Sequence, residues 1–185
     1  LLLAMLFSLL MVGCGEEAKK EAVYEDAVQK DETKDDNTVQ KDEAKDDNAA
    51  PLGENFTVPD LNLSMIWVKP GTFMMGSPES EAGRSSNETQ HQVTLTKGFY
   101  LGKYEVTQAQ WEKVKGSNPS HFKGADRPVE KVPWNDAVDF CKKLTEMEKK
   151  AGRVPEGMSY QLPTEAQWEY ACRAGTTTAY SWGND

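Results

Sequence analysis

The segment Tyr160–Gly175, YQLPTEAQWEYACRAG, constrains this chain more than any other. Tyr160-Gln161-Leu162 reads as a short extended piece closed by Pro163, which blocks helix further upstream. Thr164 then opens a helix. Its hydroxyl can accept the backbone N–H three residues on, and Gln167 can reach back to the Thr164 amide, a reciprocal capping box. Ala166, Trp168, Tyr170, Ala171 and Cys172 supply an apolar surface, and Gly175 is placed to stop the helix. With few charges along it, most of this helix is expected to be buried. The device occurs twice. Thr107-Gln108-Ala109-Gln110-Trp111-Glu112 matches Thr164-Glu165-Ala166-Gln167-Trp168-Glu169 at every position but the second. Taken locally, the pair serves equally well as two ordinary capped helices, each with a core Trp.

Four blocks, in this order, widen the context. They are Met65-Ile66-Trp67-Val68-Lys69-Pro70-Gly71-Thr72-Phe73-Met74-Met75-Gly76; Phe99 to Thr107, running into Trp111; Pro128 to Ala137, running to Phe140-Cys141; and Tyr160 to Gly175, continued through Tyr180-Ser181-Trp182-Gly183. Together they resemble the sulfatase-modifying-factor family, also called the formylglycine-generating enzyme family. The resemblance implies an α+β, C-type-lectin-like fold with few regular elements and long loops. A family fold does not fix an activity, and the resemblance implies two kinds of function. One is an oxidase that uses oxygen and a copper ion held by two thiolates to convert a Cys of a sulfatase to formylglycine. Relatives that make ergothioneine-type sulfur bonds use non-haem iron instead, with a His-rich helical domain not seen here. The alternative is a non-catalytic binding or structural module of the cell envelope. In the family the redox cysteine pair, the calcium loops and the substrate groove lie in the C-terminal half. Their counterparts are therefore expected beyond Asp185, with the domain about half complete there and apolar surface left exposed. No catalytic, cofactor-binding or metal residue is assigned within the chain.

The N-terminal stretch Leu1–Val12 is apolar apart from Ser8, and Gly13-Cys14-Gly15 follows. It is short for a membrane-spanning helix and fits the apolar core of a secretory signal. The ending Met11-Val12-Gly13-Cys14 resembles a bacterial lipobox, with Met11 where Leu is usual. Cys14 is accordingly the expected lipidation site, and the expected location is an exported, membrane-anchored lipoprotein of a bacterial envelope. With neither a basic leading segment nor an initiator Met, the chain reads as starting inside its leader.

From Gly15 to Ala50 the composition changes completely, to six lysines against thirteen acidic residues. An eleven-residue unit, Gln29–Val39, recurs as Gln40–Ala50. Such a period can wind a coiled coil, but each unit offers about one apolar residue for a seam, too little to offset ordering entropy. The segment reads as an extended, disordered tether between lipid and domain. The net charge of −9 disfavours nucleic acid as a partner. The expected partners are the membrane, through the anchor, and a sulfatase or another envelope protein.

Domain organisation then reads as a signal peptide and lipobox over residues 1–14, a tether and lead-in loop over 15–64, and the N-terminal part of a sulfatase-modifying-factor domain over 65–185. Within the last, Ile66–Val68 and Thr72–Met75 read as short strands around Lys69-Pro70-Gly71. His91–Thr96 alternates as a half-buried strand does, and Phe99–Val106 follows as another. A helix from Thr107 to Lys115 ends at Gly116. A second, capped by Asn135, carries Ala137, Val138, Phe140, Cys141, Leu144 and Met147 at helical spacing and ends at Ala151-Gly152. Five Trp, Trp67 to Trp182, are expected to supply buried surface.

The chemistry-bearing residues form no recognisable constellation. His91 and His121, the two histidines, read as structural or surface groups. Glu105, Asp136 and Glu165 read as caps, helix-end charges or surface groups. Cys141 and Cys172 sit on apolar helix faces with no CxxC or Cys/His spacing, which argues against zinc. Buried free thiols are one reading for them; the resemblance implies another, disulfides to cysteines of the C-terminal half.

Overall fold

A computed structural model describes residues 10–13 and 52–183. The tether and Cys14 lie outside the described residues. The fold is α+β. Strands β1 (Leu10–Gly13), β2 (Phe56–Val58), β3 (Leu63–Val68), β6 (Phe99–Gly102) and β7 (Met158–Gln161) form one antiparallel sheet in the order β2-β3-β6-β1-β7. Strands β4 (Gly71–Met75) and β5 (His91–Leu95) form a separate ribbon. Helices α1 (Gln108–Lys115), α2 (Trp134–Lys150) and α3 (Glu165–Arg173) complete it.

The core lies between the sheet and α1 and α2. Trp111 and Phe140 stack with ring centroids 5.1 Å apart and planes 4° from parallel, joining the two helices. On the sheet, the fully buried Tyr100 takes Phe56 edge-on at 4.9 Å and Trp67 at 4.8 Å. Val58, Leu61 and Leu63 belong to the same core. The stretch before Met65, expected as a lead-in loop, thus supplies a strand and a single 3-10 turn, Pro59–Leu61. Leu10–Gly13, expected only as the end of a leader, supplies a central strand of the sheet.

Both capping boxes form as expected: Thr107 with Gln110, and Thr164 with Gln167. Gly116 caps α1 in the left-handed conformation. Ala174, one residue before the expected Gly175, takes that role in α3. Helix α2 starts at Trp134, one residue before the expected Asn135 cap. Pro133 stands at the cap, its carbonyl accepting from the Asp136 and Ala137 amides at 3.0 and 3.1 Å. Strand β6 ends at Gly102 rather than Val106, where the chain turns to reach the Thr107 cap.

Three expectations about burial are corrected. No residue of α3 is fully buried. The helix docks by one side only, on β4, where Glu169 accepts from the Gly76 amide and Arg173 donates to the Gly76 carbonyl, both at 2.8 Å. Gly76 is required there: its φ is +89°, and a Cβ would meet the Glu88 and Thr89 carbonyl oxygens at 2.9 Å. Of the tryptophans, Trp111 is buried, whereas Trp134 and Trp182 are 70% and 77% exposed. Finally, the seam of α2 continues through Glu148, not Met147. Glu148 is 1% exposed, and Arg153 pairs with both its carboxylate oxygens at 2.7 Å. The Glu148 and Asp60 carboxylates hold the Arg153 pKa above its ordinary value.

Candidate functional site

The undocked side of α3 faces an open cleft. Trp168, Ala171 and Cys172, spaced three and four residues apart on one helix face, form one wall. The other wall is the turn at Asp60 together with Ala109, Gln110 and Lys113 of α1, and the floor is the start of β3 and the segment Leu101–Glu105. The cavity measures about 990 Å³. Trp168 is half-buried and Tyr104 is 66% exposed, with Lys103 Nζ 5.2 Å from the Tyr104 ring centre. Lys113 Nζ donates to the Asp60 carbonyl, and Gln110 Nε2 to the Leu61 carbonyl at 3.1 Å. Helix α1 and the Asp60 turn are therefore tied to one another within one wall, and Cys172 on the α3 wall is exposed.

Glu105 lines this cleft instead of standing free on the surface. Burial raises its pKa above the ordinary value. Cys172 is an exposed free thiol in the same cleft, correcting the expectation of a buried one. Cys141 is free and buried, as one reading expected, and burial pushes its pKa up to about 12. The remaining candidates are dispersed. His91 is exposed, its Nδ1 2.9 Å from the Thr89 carbonyl oxygen. His121 is exposed and packs edge-on against Phe122 at 4.8 Å. Asp136 sits in the first turn of α2 with Lys115 at 3.4 Å, and Glu165 in the first turn of α3. No group of three or more His, Cys, Asp or Glu among the described residues is placed to hold a metal ion.

The residue that organises the rim of the site escaped the sequence reading. Gln108 is 1% exposed, and its amide makes four hydrogen bonds. Nε2 donates to the Phe122 and Pro128 carbonyls at 2.9 and 3.3 Å, and Oε1 accepts from Asn118 Nδ2 and the Gly124 amide at 3.0 and 3.1 Å. That is every bond a side-chain amide can ordinarily make, and it folds the loop between α1 and α2 onto α1. The signal was present: position 108 is the one at which the two capping-box copies differ.

The chain matches the model of the sulfatase-modifying factor enzyme 1-like domain over residues 51–185. It is 41% identical to the "Chaperone protein LppX" of Paenibacillus barcinonensis, across 49% of this chain and 41% of that protein. It is 28% identical to the "Formylglycine-generating enzyme" of Mus musculus, across 65% of this chain and 42% of that one. The chain thus spans about two fifths of these curated relatives. Among solved structures, PvdO from Pseudomonas aeruginosa superposes with a TM-score of 0.58 and 26% identity, over 71% of this chain and 55% of that one. A family match that runs from Pro51 through both capping boxes, together with this shared fold, establishes that the chain belongs to the sulfatase-modifying factor enzyme 1-like family.

Proposed function

We propose that the protein is a lipoprotein of a bacterial envelope, anchored through Cys14, whose domain holds a segment of another exported polypeptide in the cleft between α1 and α3. The cleft carries this reading. At about 990 Å³ it stands at the upper limit of ordinary small-molecule sites. Trp168 and Tyr104 offer aromatic surface, and Asp60, Glu105, Lys103 and Lys113 place both signs of charge around them, the anatomy of a polypeptide interface. The relative named as a chaperone protein supports the same reading. The apolar stretch ending at Cys14 supports export and acylation. Metabolic labelling with a fatty-acid probe tests the anchor: the intact protein takes up label, and Cys14→Ala takes up none. A Cys14→Ala chain labelled as strongly as the wild type would sink this part of the proposal.

Oxidation of a substrate cysteine is the second reading, favoured by the several relatives named as formylglycine-generating enzymes. A copper ion would need paired thiolates. The described residues do not fit that requirement, because the Cys141 thiol is buried and its pKa raised to about 12. The described residues do not fit calcium either, since they assemble no carboxylate cluster. Copper-dependent conversion of a cysteine peptide by the intact protein would favour this reading over binding alone.

A further inference from the structure

Arg153 bridges two carboxylates of opposite exposure. Its Nε and Nη2 each lie 2.7 Å from an oxygen of the buried Glu148, and Nη2 also donates to Asp60 Oδ2 at 2.6 Å. The Asp60 side chain is 57% exposed and belongs to the 3-10 turn Pro59–Leu61, ninety-three residues away in sequence. That turn is part of the cleft wall, whereas Arg153 does not line the cleft. The guanidinium thus grips the wall from behind. Its rotamer freedom is already lost to Glu148, so holding Asp60 orders little more of the side chain.

The other ties on the turn come from α1 and end on backbone oxygens. Gln110 donates to the Leu61 carbonyl through the same amide whose oxygen accepts from the Thr107 amide at the helix cap, and Lys113 donates to the Asp60 carbonyl. Arg153 instead takes the turn by its side chain and fastens it to the end of α2. We propose that Arg153 is a positioning residue for polypeptide capture. Without touching the bound segment, it holds the Asp60 turn at the spacing from α3 that the segment needs. A wall already in place spares the complex the cost of ordering it. An ion pair with one end in solvent adds little to stability, so the Asp60 tie acts on binding more than on folding. The proposal rests on the polypeptide-binding reading above and names a residue that sets the geometry of the same cleft.

The test titrates the intact, acylated protein in detergent with a reduced, carboxymethylated polypeptide, comparing wild type with Asp60→Asn, Arg153→Lys and the double variant. Asp60→Asn cuts the tie and leaves the Glu148–Arg153 pair whole. Arg153→Lys keeps a cation beside Glu148 but loses the planar fork that spans both carboxylates. Each single variant should weaken binding by about threefold to tenfold. The double variant should lose no more than the weaker-binding single one, since one tie is cut in all three. Raising the salt should narrow the gap between wild type and Asp60→Asn, because the exposed pair is screened. The urea midpoint of Asp60→Asn should match that of wild type. Without polypeptide, amide exchange in the peptide spanning 56–64 should rise about threefold in Asp60→Asn, which loss of a direct contact alone would not cause. Unchanged exchange there would overturn the proposal. Wild-type affinity in Arg153→Lys beside weakened Asp60→Asn would overturn it too, by making Asp60 a direct contact. A wild-type protein that binds no polypeptide would instead overturn the cleft reading, and the positioning role with it.

Discussion

The Tyr160 amide donates to the Thr145 hydroxyl at 2.9 Å, so helix α2 itself seals the outer edge of β7. The same oxygen lies 2.8 Å from the Cys141 carbonyl, to which it donates. One side chain therefore links a helix turn to an edge strand. Thr145→Val keeps the shape and removes both bonds, leaving the Tyr160 N–H unsatisfied at a cost of about 1–3 kcal/mol. Thr145→Ser keeps the hydroxyl and should stay within roughly 1 kcal/mol of wild type. Urea unfolding midpoints distinguish the two.

Gln108 should be the least replaceable polar residue around the cleft. Gln108→Glu introduces the residue found at the matching position of the second capping box, Glu165. It removes both donors to the Phe122 and Pro128 carbonyls and buries a charge beside them. The expected loss is about 3 kcal/mol or more. It should come with faster proteolysis of the loop between α1 and α2, read from cleavage fragments. A variant as stable as wild type would show that the amide network is dispensable.

Arg153 is the partner of a carboxylate that water scarcely reaches. Arg153→Met leaves Glu148 buried and unpaired and should cost about 3–5 kcal/mol. The double change Glu148→Leu with Arg153→Met should recover most of that loss, because the buried charge goes with its partner. Thermal melts of Arg153→Met, Glu148→Leu and the double variant, each against wild type, give the coupling directly.

Glu105 gives the cleft a pH dependence. Its carboxyl is raised above the ordinary 4.5 by burial, so the folded state holds the proton to higher pH than the unfolded state does. Stability from this group therefore falls as pH rises from the ordinary value through the raised one, and stays lower at neutral pH. Glu105→Gln should remove that slope and raise stability at pH 7 by roughly 0.5 kcal/mol. Stability curves from pH 4 to 7 that are parallel in wild type and variant would contradict the assignment.

The elements legible in the sequence were those set by local rules. Both capping boxes, the Gly116 stop and the apolar seam of α2 follow from spacing and side-chain chemistry alone. What escaped depends on distant partners. Helical spacing leaves Glu148 out of the α2 seam and puts Met147 in it, because the charge is tolerated there only with Arg153 folded back over it. Trp168 reads as core because its neighbours are apolar, yet the side of α3 that docks is fixed by Glu169 and Arg173 clasping Gly76, more than ninety residues away. That clasp turns Trp168 and Cys172 toward the cleft, and no local signal encodes it. Leu10–Gly13 illustrates the same limit. An apolar run before a Cys looks like a leader, and only the edges of β6 and β7 reveal it as a strand.

In the proposed function the cleft holds extended polypeptide. The direct measurement is a binding titration of the intact, acylated protein in detergent with a reduced, carboxymethylated polypeptide that cannot fold. Saturable binding is predicted, weakened about tenfold by Trp168→Ala and unchanged by Trp182→Ala, whose side chain does not line the cleft. Absence of binding, or equal binding by all three proteins, would contradict polypeptide capture in the cleft.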